Sequence, residues 1–271
     1  MSVEVYVDSR ARLAEGPRWD AESGVLLWVD IEGGEVHRGE EVLRFDERVG
    51  AVAPVGGGGL LVATASRLVL DGVTVAEFPH ADDLRANDGV CDDRGRLWIG
   101  TMALDERDGD AALYRFDGKL VRILDGVGMS NGIGWSPDRT RMYYVDSLTR
   151  RVDVFDYDGE IANRRPFVAI DRDDGVPDGL AVDDEGGVWV ALWGGSCVRR
   201  YDPDGALDGQ LAIPAENVTA CCFGGADGRS LFVTTGAPDG RVYVVDVAVS
   251  GPPAQPFRST APSDAEPTSA R

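Results

Sequence analysis

Met129–Asp158 reads MSNGIGWSPDRTRMYYVDSLTRRVDVFDYD. Asn131 stands at a strand entrance, and a short apolar strand runs from it to a Ser136-Pro137-Asp138 turn. Such residues supply turn dihedrals and local side-chain hydrogen bonds. Two further strands follow, Met142–Val145 and Val152–Tyr157, the second alternating with a period of two, as a half-buried strand does. The stretch therefore predicts an antiparallel meander, and versions of it recur along the chain.

Strands of the same type begin at Leu26 (LLWVD), Leu60 (LLVAT), Leu97 (LWIGT), Met142 (MYYVD), Val188 (VWVAL) and Leu231 (LFVTT), at intervals of 34, 37, 45, 46 and 43 residues. A propeller blade of four strands takes roughly 40–50 residues. Asp- and Gly-rich turns precede most of these strands, and outer strands such as Leu120–Leu124 and Phe167–Ile170 follow. Helical periodicity over a long window is not evident. The expected fold is all-β, a six-bladed β-propeller with four-stranded blades over residues 1–258, and 259–271 reads as a tail too polar to order itself. The sixth unit lacks an outer strand after Val247, and the alternation of Val3, Val5 and Val7 can supply it.

Composition narrows the function. With 27 basic and 47 acidic residues the net charge is −20, which disfavours nucleic acid and anionic membrane as partners. No apolar run approaches a membrane span and the N-terminus does not look like a secretory signal, so a cytoplasmic protein is expected, as a monomer or small homo-oligomer. The four cysteines, Cys91, Cys197, Cys221 and Cys222, lack metal-site spacing and read as buried reduced thiols. Only two histidines, His37 and His80, and one lysine, Lys119, are present, none beside a nucleophile motif. The chemistry should rest on carboxylates, amides or a metal.

Counting back from each second strand finds such residues at one station. Glu15 precedes Leu26 by 11 residues, Asn87 precedes Leu97 by 10, Asn131 precedes Met142 by 11 and Asp178 precedes Val188 by 10. Innermost strands line the channel of a propeller, so these four lie on a ring, and oxygen ligands on a ring suit a hard divalent cation. In the other two units the station falls near Val49-Gly50 and Ala220-Cys221, which ligate such an ion poorly. Asn131-Gly132, Asp178-Gly179 and Asn87-Asp88-Gly89 are also ordinary turn signals; recurrence, with Glu15 as a poor turn former, favours the site. Arg85 would sit at the channel mouth facing substrate, or else pair with Asp82 or Asp83 on the surface. Trp19, Trp28, Trp98, Trp135 and Trp189 read as packing between blades.

EGPRWD (Glu15–Asp20), RANDGVCDDRGRLWIGTM (Arg85–Met102), SNGIGWSPD (Ser130–Asp138), PDGLAVDDEGGVWVA (Pro177–Ala191) and CCFGG (Cys221–Gly225) together resemble the gluconolactonase family, which includes regucalcin (senescence marker protein) and luciferin-regenerating enzyme. The resemblance implies a six-bladed propeller with one catalytic divalent metal held by Glu15, Asn131 and Asp178, and with Arg85 and Asn87 contacting substrate. The chain departs from the family at Ala86, where an aromatic residue is common, and in a shortened rim loop between Thr235 and Arg241. Both bear on the shape of the pocket.

The expected activity is metal-dependent hydrolysis of a sugar lactone or similar small cyclic ester, with Asp178 as ligand and candidate base. The ligand types suit Ca²⁺, Mn²⁺ or Mg²⁺ better than Zn²⁺. A related esterase acting on aryl or phosphate esters and a calcium-binding propeller without turnover are the alternatives.

Overall fold

The computed structural model describes residues 2–258, so the expected tail at 259–271 lies outside the described residues. Among the described residues twenty-four strands form six four-stranded antiparallel sheets. Two three-residue 3₁₀ turns, at Ser147–Thr149 and Arg172–Asp174, are the helical elements among the described residues. The innermost strands are Ala14–Asp20, Val49–Val55, Leu84–Cys91, Ser130–Trp135, Val176–Val182 and Val218–Gly224, and each packs against the next around a closed ring. The fold is thus a six-bladed β-propeller.

The ring closes as expected. Glu4–Val7 pairs with Val242–Asp246 and becomes the outer strand of the sixth blade, so one sheet holds both the first and the last strand of the chain. Leu120–Val127 runs past the expected Leu124, and Ile161–Ala169 starts before the expected Phe167 and stops one residue short of Ile170.

Apolar faces of neighbouring blades interlock as separate clusters. One packs Trp98, Trp135, Tyr144 and Phe155 between the third and fourth blades. The Asp-rich turns do more than reverse the chain. Asp92 accepts a hydrogen bond from Trp98 Nε1 at 2.9 Å, and Asp183 from Trp189 Nε1 at 2.8 Å, so each turn carboxylate pins the indole of its own second strand. Buried indole N–H groups need such acceptors.

In every blade the pairing of first and second strands slips at one level. The breaks lie between Glu15 and Arg18, Val49 and Ala51, Ala86 and Gly89, Ser130 and Ile133, Pro177 and Leu180, and Val218 and Ala220. Bulges re-aim side chains. Here they put Asn87, Asn131 and Asp178 on unpaired backbone, with Glu15 at the edge of its own break. The blank stations are therefore Gly50 and Thr219, not Ala220-Cys221; Thr219 spends its hydroxyl on Ala14 O and Thr234 Oγ1.

The Asn-Gly and Asp-Gly pairs are not turns. Asn131-Gly132 and Asp178-Gly179 lie inside strands. A Cβ on Gly132 would stand 2.5 Å from Leu180 N, and one on Gly179 would stand 2.4 Å from Ala220 Cβ. Glycine is needed there so that the next innermost strand can approach.

The segment after the last strand crosses the opposite end of the channel. Ala254 N–H donates to Trp19 O and Phe257 N–H to Pro54 O, while the Phe257 ring stacks on Phe116 at 5.5 Å. Pro252, Pro253, Ala254 and Gln255 close a small cavity of 90 Å³ there, lined also by Cys91, Cys221 and Cys222.

Candidate active site

The starts of the innermost strands all lie at the other end. There a cavity of 290 Å³ is lined by Glu15, Arg85, Asn87, Asn131 and Asp178 together. All five are buried, none more than 8% exposed. Residues separated by up to 163 positions in the chain (15 to 178) thus share one wall.

Local devices hold them. Asp30 accepts hydrogen bonds from the N–H groups of Arg12 and Leu13, and Asp146 from those of Gly128 and Met129. The carboxylate ending each VD strand therefore fixes the backbone leading into Glu15 and into Asn131.

A directed chain of hydrogen bonds then orients the amides. Arg85 Nη1 donates to Asn87 Oδ1 at 2.6 Å, and Asn87 Nδ2 to Asn131 Oδ1 at 2.9 Å. Asn131 Nδ2 donates to Ser147 Oγ at 2.8 Å, and Ser147 Oγ to Pro177 O at 2.7 Å. Asn131 Oδ1 is thereby turned away from Ser147 and keeps one lone pair free. Asn87 Nδ2 also donates to Ser130 O at 2.7 Å, so both of its amide hydrogens are spent within the protein.

Arg85 is not the surface residue that the alternative reading allowed. Its Nη1 is occupied by Ala86 O and Asn87 Oδ1, leaving three guanidinium N–H groups for the cavity, while Asp83 pairs instead with Arg107. Burial lowers the Arg85 pKa to about 10.

The acids are under electrostatic stress. Burial, then the charge of Asp88, raises Glu15 from 4.5 to about 8. Burial, then the charge of Glu15, pushes Asp178 well above the usual carboxylate range. Glu15 accepts one hydrogen bond, from Gly16 N–H, and buried Asp178 Oδ1 accepts none. Carboxylates gathered without enough donors are a combination that a divalent cation relieves.

Among the described residues no trio of His, Cys, Asp and Glu converges as a metal cage. The donors here are two carboxylates and an amide, all hard oxygens, and the orphaned Asp178 oxygen gives a cation a place. The residues present fit the implied metal.

A profile described as the SMP-30/gluconolactonase/LRE-like region matches residues 13–237. The chain belongs to that family. It is 38% identical over 255 residues to regucalcin of Danio rerio, covering 87% of this chain and 86% of that one. It is 35% identical over 288 residues to pentonolactonase XacC of Haloferax volcanii, covering 96% and 98%. Among solved structures, one titled a calcium-binding protein, regucalcin, from Agrobacterium tumefaciens superposes with a TM-score of 0.90 at 28% identity, covering 95% of this chain and 97% of that one.

Around this cavity, sequence reasoning missed three things. Asp88 was hidden in an Asn-Asp-Gly signal read as a turn; it is buried and paired with Arg18 at 2.9 Å beneath the acids. Ser147 carried no signal beyond following a VD strand. Trp193, unlike the other tryptophans, lines the cavity.

His37 stacks on Trp28 at 3.7 Å, and neither it nor His80 reaches the site. All four thiols are buried and free.

Proposed function

We propose that this protein hydrolyses a small lactone, using one divalent cation held by Glu15, Asn131 and Asp178. The observation that carries the reading is the convergence of these three on one cavity, with Asp178 Oδ1 left without a donor. One relative is named a pentonolactonase and one solved neighbour a calcium-binding protein, which point the same way. A cation bound there supplies an electrophile for the lactone carbonyl and countercharge for the developing oxyanion.

The chain's own groups do the rest. Asp178 accepts the proton of the attacking water at a carboxylate oxygen; burial beside Glu15 raises its proton affinity only while no cation is bound. Arg85 presents its three remaining N–H groups to oxygens of the substrate. Asn87 acts mainly by holding Asn131, and offers the substrate only an acceptor lone pair. Ser147 fixes the Asn131 amide from the other side. We place the protein in the cytoplasm, where four unpaired thiols stay reduced, as a monomer or small homo-oligomer.

A pH-indicator assay over a panel of lactones, with Ca²⁺, Zn²⁺, Mn²⁺ or Mg²⁺ added to metal-free protein, tests the reading. Acid release that requires cation and is lost in Asp178→Ala is expected. Cation binding without turnover of any lactone would instead make the protein a calcium-binding propeller, and faster turnover of aryl or phosphate esters would make it a related esterase.

A further inference from the structure

The cavity has two unlike halves. Its floor is polar: the five site residues and Ser147, all buried. Its wall is apolar: Leu13, Met102, Met129, Leu148, Val176 and Trp193, with Glu106 as the one polar side chain added at the rim.

Five of these six apolar residues, all but Leu13, belong to none of the hydrophobic clusters that pack the blades. Of these five, Met102 is buried at 7% exposed, and the other four are not core residues. Leu148 is 38% exposed, and Leu13, Met129, Val176 and Trp193 are half-buried. The wall is built from contacts between blades: Met102 bridges Met129, Trp193 bridges Asn217, and Leu13 bridges Gly236. Trp193 and Leu13 both lie over Gly236, where a Cβ would stand 2.7 Å from the Trp193 ring and 3.3 Å from Leu13 Cδ1. The short loop after Gly236 folds back on itself, with Gly240 N–H donating to Gly236 O, rather than reaching across the mouth. Large side chains left facing water are unfavourable unless something apolar covers them.

A polyhydroxylated lactone seated with its carbonyl on the floor directs its far hydroxyls at this wall. Glu106 alone could serve them, and a hydroxyl desolvated without a partner weakens binding. Resting on the lactonase reading, we infer that the substrate class is a lactone oxygenated next to its carbonyl and apolar at its far end, carrying a methyl or alkyl group where an aldonolactone carries hydroxyls.

The test is a matched pair differing by one hydroxyl: rhamnono-1,4-lactone and mannono-1,4-lactone, the first being the 6-deoxy form of the second, in both enantiomeric series, with cation present. The expected result is a kcat/KM at least about ten-fold higher for the 6-deoxy lactone, the order of discrimination that an unpaired hydroxyl produces. Leu148→Asn, at a position 38% exposed, should shrink the ratio several-fold by giving the hydroxyl a partner. Turnover of both with a ratio near one, or favouring the 6-hydroxy lactone, overturns this inference and leaves the lactonase reading standing. Turnover of neither overturns this inference, and the lactone panel decides separately whether the lactonase reading falls with it.

Discussion

Replacing Glu15 by glutamine separates the electrostatic stress at the floor from everything else that titrates in a chain of net charge −20. Burial and Asp88 hold the Glu15 carboxyl at about 8 in the folded state against 4.5 in the unfolded chain. The folded protein therefore keeps a proton that the unfolded chain has already released between those values. Stability contributed by the neutral acid is fully present below pH 4.5 and is lost as pH rises toward 8. At about 1.4 kcal/mol per pH unit, this shift sets a ceiling of roughly 5 kcal/mol. Asp178 adds loss in the same direction. Glutamine is nearly isosteric, can still accept from Gly16 N–H and cannot ionise. Urea denaturation in chelator at pH 5, 6.5, 8 and 9 should show the wild type losing several kcal/mol more than Glu15→Gln across that range. Excess Ca²⁺ or Mn²⁺ at pH 8 should restore the wild type and leave the variant nearly unmoved. Equal slopes for the two proteins in chelator, or equal recovery with cation, would refute the argument that the cation relieves these acids.

Because protons compete with the cation for the same raised acids, cation affinity should climb as pH rises toward 8, with proton release measurable by calorimetry in buffers of different ionisation heat. Asp178→Ala should abolish lactone hydrolysis and cation-induced stabilisation while far-UV circular dichroism stays that of the wild type; near-normal turnover would remove Asp178 from the mechanism. Ser147→Ala removes the acceptor that orients Asn131 and should weaken cation affinity about 10-fold or more, the usual cost of losing a group behind a ligand, read by titration calorimetry. Deleting residues 2–8 strips the outer strand from the closing blade and its Asp8–Arg241 ion pair, and should lower the melting temperature sharply; an unchanged midpoint would mean that the ring does not depend on this closure. Phe257→Ala, at a ring 2% exposed against Phe116, should cost about 3 kcal/mol in the same denaturation assay.

Much was legible before any coordinates. The recurring second strands, from Leu26 to Leu231, state the blade period, and the alternation Val3, Val5, Val7 names the strand that closes the ring, because strand pairing follows a period of two whatever the partner. The residues Glu15, Asn87, Asn131 and Asp178 were legible as a set because equal spacing from equivalent strands means equal height on the ring, whereas Arg85 stood outside that spacing and was left open between the channel mouth and a surface pair. What the sequence could not say is how that height is used. Asn131-Gly132 has the same letters whether it turns the chain or lets a neighbouring strand approach to contact distance, and only the packing of the next blade makes it the latter. Asp88 looked like part of a turn until Arg18, 70 residues away, proved to be its partner. Trp193 sits in a strand like other tryptophans, and it faces the cavity only because its own blade and the short loop after Gly236 leave that side open. Local pattern determines which strands form and in what order; which side chains share a cavity depends on contacts between residues far apart in sequence, and those exist only once the ring has closed.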